Sequence, residues 1–356
     1  MLTAGERINM KIAYAGSFDP FTNGHLHIIN KVNSIMPSAE LVILIANNAS
    51  KKHNFSADDR MNMIKNVLRG DGGPKTSIAI LPSDRYAVEF AQSIGCSAMV
   101  RGIRTEVDFQ DESGIYQANK LICPTMETIY VMPDISLSAV RSSLVMGLVG
   151  PVNWIDTIDQ LVPHNVLLEI CKRFCFKTAE VEKISGDLSC YDVNPYHNWI
   201  HIAHCMSEYL RLGFEDIDYL RGILFHDAID PSKLDHLDLF CINPDREEIY
   251  PDTILDIRAA VEATNHENLP TNLNEVQKVI HDIDMSILAS RAGTYDRYVR
   301  NIKREYCEVK GVPLDVFHFG RIKFLKKVLS QKIFLTQYYN EAKAVENLQR
   351  ELMSLT

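Results

Sequence analysis

Polar side chains follow the first apolar run of the chain, in a segment that reads Ala15-Gly-Ser-Phe-Asp-Pro-Phe-Thr-Asn-Gly-His25. The segment separates a predicted strand, Ile12–Tyr14, from a predicted helix that begins at Leu26. Backbone N–H groups at the N-terminus of a helix are free to bind phosphate. Gly24 lets a phosphate approach the backbone closely, and His25 can donate to an oxygen that gains charge in a transition state. The segment therefore predicts a nucleotide-phosphate site.

Basic and hydroxyl side chains follow later strands of the same predicted sheet. Arginine forks suit bidentate phosphate binding, and hydroxyl groups at a helix start suit a triphosphate. Each feature alone is more often a turn, a solvated surface or an N-cap, but their shared position at successive strand ends indicates one site. They are Lys51 after the second strand, Arg101 and Arg104 after the fourth, and Ser142 and Ser143 after the fifth.

The C-terminal half carries imidazole and carboxylate groups on separate predicted helices. Without a thiolate, these groups favour Mn²⁺, Fe²⁺, Mg²⁺ or Zn²⁺ over a structural cysteine site for zinc. A lone His-Asp pair is usually an ordinary surface pair, but the ordered set predicts a metal site. The candidate ligands are His201, His226, Asp227 and Asp284, with Asp282 as second choice to Asp284. His204 is expected to face another helix, and His266 and His281 stay open as ligands or core residues.

The pattern of apolar runs predicts two domains of different class. Up to about Phe176, β-rich runs alternate with helical patterns, which indicates a parallel sheet covered on both faces and a ligand site beyond the carboxyl ends of its strands. The predicted strands are Ile12–Tyr14, Leu41–Ala46, Ile78–Leu81, Ala98–Val100 and Thr128–Val131. Residues 183–187 are the expected joint, and the chain beyond them shows a helical period throughout. The predicted domains are 9–176 and 184–356.

Composition limits the classes of partner. A formal charge of −9 over 356 residues argues against broad binding to nucleic acid or to an anionic membrane. We find no apolar run long enough to span a bilayer and no signal-peptide pattern at the start. The eight cysteines include no C-x-x-C pair, which favours a reducing, cytoplasmic compartment.

The N-terminal half resembles phosphopantetheine adenylyltransferase, a nucleotidyltransferase with a Rossmann-like fold. The likeness runs from about Met10 to Phe176. It rests on the segment that ends at His25 and on three further runs, which are Ser50-Lys-Lys52, Arg101-Gly-Ile-Arg-Thr-Glu-Val-Asp-Phe109 and Ala118-Asn-Lys-Leu-Ile-Cys-Pro-Thr-Met-Glu-Thr128. The resemblance implies adenylyl transfer from ATP, with Mg²⁺, to 4′-phosphopantetheine, and it suggests a homo-oligomer.

The resemblance also implies roles for individual residues. His25 and Ser17 would touch the migrating phosphate, while Lys51 and Arg101 would hold the attacking and transferred phosphates. Arg104, Asp108 and Glu112 would lie along the nucleotide. The other candidates to bind substrate or nucleotide follow from their place after the first and fifth strands, and these are Phe18, Thr22, Gly24, Ser142 and Ser143. The segment Ser83-Asp-Arg-Tyr86 departs from the family pattern where the pantetheine arm binds, so adenylyl transfer is better supported than the acceptor.

The C-terminal half resembles the HD superfamily of metal-dependent phosphohydrolases. Tyr196-His-Asn-Trp-Ile-His201 is similar to a run of cyclic-nucleotide phosphodiesterases, and Phe225-His-Asp227 and Ile283-Asp-Met-Ser286 match the later signatures. The resemblance implies an all-α fold, metal ligation by His201 and proton donation by His197. It implies hydrolysis of an unidentified phosphorylated metabolite. Arg321 and Lys303 are candidates to bind its phosphate, with a charged helix face as the alternative.

Two alternative functions stay open at this point. In one, the N-terminal half is a nucleotidyltransferase that acts on another phosphomonoester. In the other, the helical half is a regulatory or ligand-binding module without hydrolase activity.

Overall fold

The computed structural model describes residues 10–47, 52–69, 76–181, 188–228, 251–266 and 268–356. The chain divides into two compact units, Met1–Glu169 and Ile170–Thr356. Lys51 and the expected joint at 183–187 lie outside the described residues. Within the described ranges, no helix is long and apolar enough to cross a membrane.

A parallel sheet forms the centre of the N-terminal unit, as the alternating pattern predicts. Its five described strands are ordered β3-β2-β1-β4-β5. β1 pairs in parallel with β2 on one side and with β4 on the other. The strands are β1 (Lys11–Gly16), β2 (Glu40–Ile45), β3 (Thr76–Ile80), β4 (Ala98–Gly102) and β5 (Glu127–Val131).

The strand order places a ligand site between β1 and β4. From β1 the chain first adds β2 and β3 on one side and then crosses over to add β4 and β5 on the other. In open α/β sheets, ligands bind outside the carboxyl ends of the strands where the order reverses. The segment from Ser17 to His25 leaves β1 at this point, and the run that contains Arg101 and Arg104 leaves β4 there.

The N-terminal unit carries seven helices among its described residues, counting α7, which extends past Glu169. α1 turns Ile28, Ile29 and Val32 inward, which is the helical spacing of a core-facing stripe. The helices are α1 (Asn23–Ile35), α2 (Ala57–Leu68), α3 (Ala87–Ser93), α4 (Glu106–Ile122), α5 (Ser142–Gly147), α6 (Trp154–Asp159) and α7 (His164–Thr178).

The described part of the C-terminal unit is helical, as the sequence pattern predicts. Its helices are α8 (Cys190–Val193), α9 (Trp199–Arg211), α10 (Ile217–Phe225), α11 (Pro251–Ala263), α12 (Glu275–Met285), α13 (Ala292–Arg304), α14 (Leu314–Leu329) and α15 (Glu341–Leu355). A short π-helix, Glu305–Val309, extends α13. A core of buried residues that includes Leu288, Tyr295, Leu325 and Leu348 joins α13, α14 and α15.

Polar caps set where three of these helices begin, and thereby where their site residues lie. Asn198 caps α9 by accepting from the N–H groups of Ile200 (3.0 Å) and His201 (3.3 Å). Asp216 caps α10, and Asn274 forms a capping box with Gln277 at the start of α12. His201 therefore lies in the first turn of its helix.

Candidate functional site

A capping box holds His25 at the N-terminus of α1. The Thr22 hydroxyl accepts from the His25 N–H at 3.4 Å, and Nδ1 of His25 accepts from the Thr22 N–H at 3.0 Å. Because Nδ1 is an acceptor, the proton of the neutral ring lies on Nε2. Burial and then the charge of Arg104 lower the pKa of His25 to about 3. His25 is thus a neutral donor near neutral pH.

Arg101, near the end of β4, and Arg104, just after it, have different partners. Arg101 binds both carboxylate oxygens of Glu112, and its Nη1 donates to the carbonyl of Ala15 at 3.1 Å. Among the described residues, the guanidinium of Arg104 makes no hydrogen bond or ion pair, yet its charge acts on His25 and Tyr14. Arg104 is therefore the arginine free to bind an anion.

The sequence analysis did not predict that Arg101 and Glu112 pair with each other. The resemblance placed Arg101 against phosphate and Glu112 along the nucleotide, but in the structure each is the other's partner. Their side chains are only 25% and 13% exposed, so the pair is screened from water on most sides. Glu112 and the carbonyl of Ala15 hold Arg101 at the carboxyl end of the sheet.

Two buried charged residues that the sequence analysis missed shape the loop after β1. Arg60 is fully buried, and its Nη1 donates to the carbonyls of Ser17 (2.7 Å) and Ala46 (2.9 Å). The Asp19 carboxylate accepts from the N–H groups of Asn54 (2.8 Å) and Phe55 (2.9 Å). A signal was present in the sequence, because Arg60 lies on the face of α2 that also carries Met63 and Ile64.

The aromatic ring of Phe18 also contacts the His25 ring. Phe18 has a backbone φ of 49°, in the left-handed region that only glycine adopts freely. Its ring meets the ring of His25 edge to face, with centroids 5.0 Å apart. A Cβ on Gly16 would lie 3.0 Å from the Phe18 ring, a tight contact that favours glycine there.

The remaining predicted residues of the N-terminal unit contact the loop or the solvent. A Cβ on Gly24 would lie 3.0 Å from the carbonyl oxygen of Val140, a tight contact that favours glycine there whether or not phosphate approaches. The Asp108 carboxylate accepts from the backbone N–H of Arg104 at 3.1 Å. Ser142 donates to the carbonyl of Pro20 at 2.8 Å, and Ser143 is exposed.

The structure brings together the four side chains predicted as metal ligands in the C-terminal unit. Nε2 of His201 lies 3.4 Å from Nε2 of His226, 3.4 Å from Oδ2 of Asp227 and 3.1 Å from Oδ1 of Asp284. Nε2 of His226 lies 3.2 Å from Oδ2 of Asp227 and 3.7 Å from Oδ1 of Asp284. These atoms come from α9, the end of α10 and the last turn of α12.

The chemistry of this cluster fits a divalent cation. Nδ1 of His226 lies 2.7 Å from the carbonyl of Ile223, a contact that directs Nε2 toward the carboxylates. Oδ2 of Asp227 is buried and makes no hydrogen bond among the described residues. Buried polar atoms are ordinarily paired. A buried carboxylate oxygen that faces two imidazole nitrogens without a hydrogen bond to either is the arrangement a cation would complete.

Further histidines contact the rim of the cluster. Nε2 of His266 lies 2.8 Å from Oδ2 of Asp284, the oxygen that does not face His201. His266 therefore contacts the candidate ligand Asp284 from outside the cluster. Burial opposes the charge of Asp284, but hydrogen bonds from His201, His226 and His266 lower its pKa well below the usual range. His204, expected to face another helix, contacts Ser286 Oγ at 3.1 Å.

His197 is paired with a buried glutamate that the sequence analysis did not assign. Nδ1 of His197 lies 2.8 Å from Oε1 of Glu305, at the start of the π-helix. Burial opposes the charge of His197, but the carboxylates of Asp227 and Glu305 raise its pKa. Burial also opposes the charge of Glu305, but the His197 bond lowers its pKa to about 2. The Glu305 carboxylate therefore favours the protonated form of His197, which is the form that can donate a proton.

Two candidates of the C-terminal half have structural roles instead. Asp282 is fully buried and accepts from the N–H groups of Leu335 and Thr336, each at 2.7 Å, so its carboxylate is occupied outside the cluster. Arg321 is buried and binds both oxygens of Glu351 at 2.8 and 3.0 Å. Arg321 is therefore neither free to bind phosphate nor part of a charged helix face, because its guanidinium lies in the core. Lys303 is exposed.

Comparisons with known proteins match the N-terminal half. The profile of the family described as Cytidylyltransferase-like matches residues 13–147. Phosphopantetheine adenylyltransferase of Chromobacterium violaceum is 33% identical over 156 residues, which cover 44% of this chain and 92% of the relative. The enzyme of the same name from Finegoldia magna is 32% identical over 164 residues, or 46% and 96% of the two chains. That of Campylobacter fetus is 32% identical over 168 residues, or 47% and 100%.

Proposed function

The chain belongs to the phosphopantetheine adenylyltransferase family through its N-terminal unit, and from that premise we propose that this unit transfers the adenylyl group of ATP to 4′-phosphopantetheine. The products are dephospho-CoA and pyrophosphate. The observation that carries the proposal is the neutral Nε2–H of His25 beside the unpaired charge of Arg104, at the reversal point of the sheet.

The proposed reaction requires positioning and charge stabilisation rather than a covalent intermediate. An oxygen of the acceptor phosphate attacks the α-phosphorus of ATP, and the bond to the leaving pyrophosphate breaks as the new P–O bond forms. His25 donates from Nε2 to an oxygen that gains charge in this step, while Arg104 binds a phosphate. Mg²⁺ enters on the ATP phosphates as part of the substrate. Lys51, Arg101 and Ser17 keep the roles that their matched positions imply, and Ser142 keeps its role as a hydroxyl near the triphosphate.

A product assay separates this acceptor from the alternative phosphomonoesters. The full chain is incubated with ATP, Mg²⁺ and one acceptor at a time, and the products are identified by mass spectrometry. We expect dephospho-CoA from phosphopantetheine at a rate well above that of any other acceptor. Adenylylation of a different phosphomonoester in its place would assign the unit to another substrate and would leave the transfer chemistry standing.

For the C-terminal unit we propose metal-dependent hydrolysis of a phosphate ester. The observation that carries this proposal is the convergence of His201, His226, Asp227 and Asp284, with the buried Oδ2 of Asp227 facing both imidazoles without a hydrogen bond to either. A divalent cation held there would supply Lewis-acid activation of water and of a phosphoryl oxygen. His197, whose charge Glu305 stabilises, donates the proton that the leaving oxygen needs.

Metal analysis and a phosphatase assay test this second proposal together. The full chain is loaded with Mn²⁺ or Zn²⁺, dialysed and assayed for bound ion and for phosphate release from a nucleotide library. We expect about one ion per chain, in keeping with one cluster, and phosphate release that depends on it. Bound ion without hydrolysis across the library would favour the regulatory or ligand-binding alternative.

A further inference from the structure

A cysteine lies against the candidate metal cluster. Cys205 is buried and lies one turn after His201 on α9, so both side chains share one face of the helix. Its Sγ lies 3.8 Å from Nε2 and 4.0 Å from Nδ1 of His201. Ligand atoms of His201, Cys205 and Asp284 all lie within 4.8 Å of one another. The set differs from the one predicted from sequence, which contained no thiol.

We propose that Cys205 supplies a thiolate to the ion held by His201 and Asp284, so that the site prefers Zn²⁺ to Mg²⁺. The inference rests on the metal site proposed above and names its ion. The thiol proton passes to solvent when the sulfur–metal bond forms.

The geometry and the chemistry of the donors both support a thiolate ligand. Around an ion with donor angles of about 110–120°, as in four- and five-coordinate zinc, metal–sulfur and metal–nitrogen bonds of about 2.3 and 2.0 Å put the two donor atoms about 3.5–3.7 Å apart. The observed separation of 3.8 Å between Sγ and Nε2 of His201 is close to that range. Soft thiolate ligands favour Zn²⁺, whereas Mg²⁺ takes oxygen ligands. The competing explanation is a core thiol that makes only a weak S–H contact with the imidazole ring.

Cobalt substitution distinguishes these explanations without an activity assay. Co²⁺ is added to the full chain in the absence of nucleotide, and the absorption spectrum is recorded for the native protein and for Cys205→Ala and Cys205→Ser. We expect visible d–d bands from the bound ion and, in the native protein, a near-ultraviolet sulfur-to-cobalt charge-transfer band. Both variants should keep the d–d bands and lose the charge-transfer band, and their Zn²⁺ affinity should fall at least about tenfold.

Control variants assign the bands to this site and check folding. Cys96→Ser removes a buried thiol from the N-terminal unit and should leave both sets of bands unchanged. Asp284→Asn should weaken both sets together. The far-ultraviolet circular dichroism of the Cys205 variants should match that of the native protein, and alanine preserves helix propensity in α9.

Each result bears on the proposal. Native d–d bands without a charge-transfer band would overturn the role of Cys205 and leave the metal site standing. No d–d bands at all would overturn both the inference and the metal site on which it rests.

Discussion

Nδ1 of His25 accepts a hydrogen bond from the backbone N–H of Thr22 at 3.0 Å, and this bond determines what the ring can do. It holds the imidazole at the start of α1 and leaves the ring proton on Nε2. A neutral ring with a fixed donor suits stabilisation of charge on a phosphoryl oxygen. The proposed reaction has no step in which His25 must act as a base.

Replacement of His25 by alanine tests this role. We expect His25→Ala to lower kcat for adenylyl transfer by about 10²–10³-fold, because the lost hydrogen bond strengthens only in the transition state. The KM for ATP should change little. His25→Gln is the matched control, since glutamine also completes a capping box with Thr22 and retains an N–H donor. Equal losses in ATP binding and in kcat would contradict the assignment.

The pH dependence of stability gives an independent test of the buried ring. The native pKa of about 3 lies below the ordinary value of 6.5, so the unfolded chain binds a proton that the native chain does not. The contribution of His25 is therefore present above pH 6.5 and is lost as the pH falls toward about 3. Between pH 6.5 and 5, the native protein should lose up to about 1.4 kcal/mol per pH unit more than His25→Gln in urea unfolding. Parallel curves for the two proteins would contradict the shift.

Arg101 and Arg104, at the end of β4 and just after it, should separate binding from stability. Arg104→Ala should weaken ATP or acceptor binding about tenfold or more with little change in thermal stability, because this guanidinium has an anion as its expected partner. Glu112→Ala should lower the free energy of unfolding by about 1–3 kcal/mol, since it leaves the half-buried Arg101 without a carboxylate. Steady-state kinetics and thermal unfolding of both variants measure these effects. A loss of stability in Arg104→Ala and a loss of binding in Glu112→Ala would contradict the assignment.

A tight helix crossing supports the metal cluster. A Cβ on Gly222 of α10 would lie 2.3 Å from the Cβ of Ala260 on α11, closer than the two helices allow. Gly222→Ala should therefore destabilise the C-terminal unit by about 1–3 kcal/mol through overpacking. Gly320→Ala on α14 is the control, because no atom lies within 4 Å of its added Cβ. That variant should be neutral or more stable by up to about 1 kcal/mol, and thermal unfolding that ranks the two the other way would contradict the packing.

Two aspartates near the cluster should behave differently on substitution. Asp227→Asn should remove bound ion without affecting adenylyl transfer, because its Oδ2 faces the two imidazoles. Asp282→Asn should instead lower thermal stability and leave metal content near the native value, because its carboxylate holds the backbone at Leu335 and Thr336. Elemental analysis and thermal unfolding of both proteins check this. Loss of metal in the Asp282 variant alone would reassign the fourth ligand.

The fold followed from local patterns, whereas parts of the sites depended on pairings between distant residues. Apolar runs separated by helical periods predicted the parallel sheet, and signatures on three helices predicted the converging histidines and aspartates. The pairing of Arg101 with Glu112 was not predicted, because no local pattern connects these two residues. Glu305 lies 108 residues after His197, so no local pattern connects them. Arg60 was missed because a charged residue is rarely expected among buried helix positions.

The most direct test of the whole account is one product assay on three proteins. The native chain, His25→Ala and Asp227→Asn are incubated with ATP, Mg²⁺ and phosphopantetheine, and dephospho-CoA is quantified by mass spectrometry. We predict equal product from the native chain and Asp227→Asn, and at least about 10²-fold less from His25→Ala. Absence of dephospho-CoA in the native reaction, or undiminished product from His25→Ala, would contradict it.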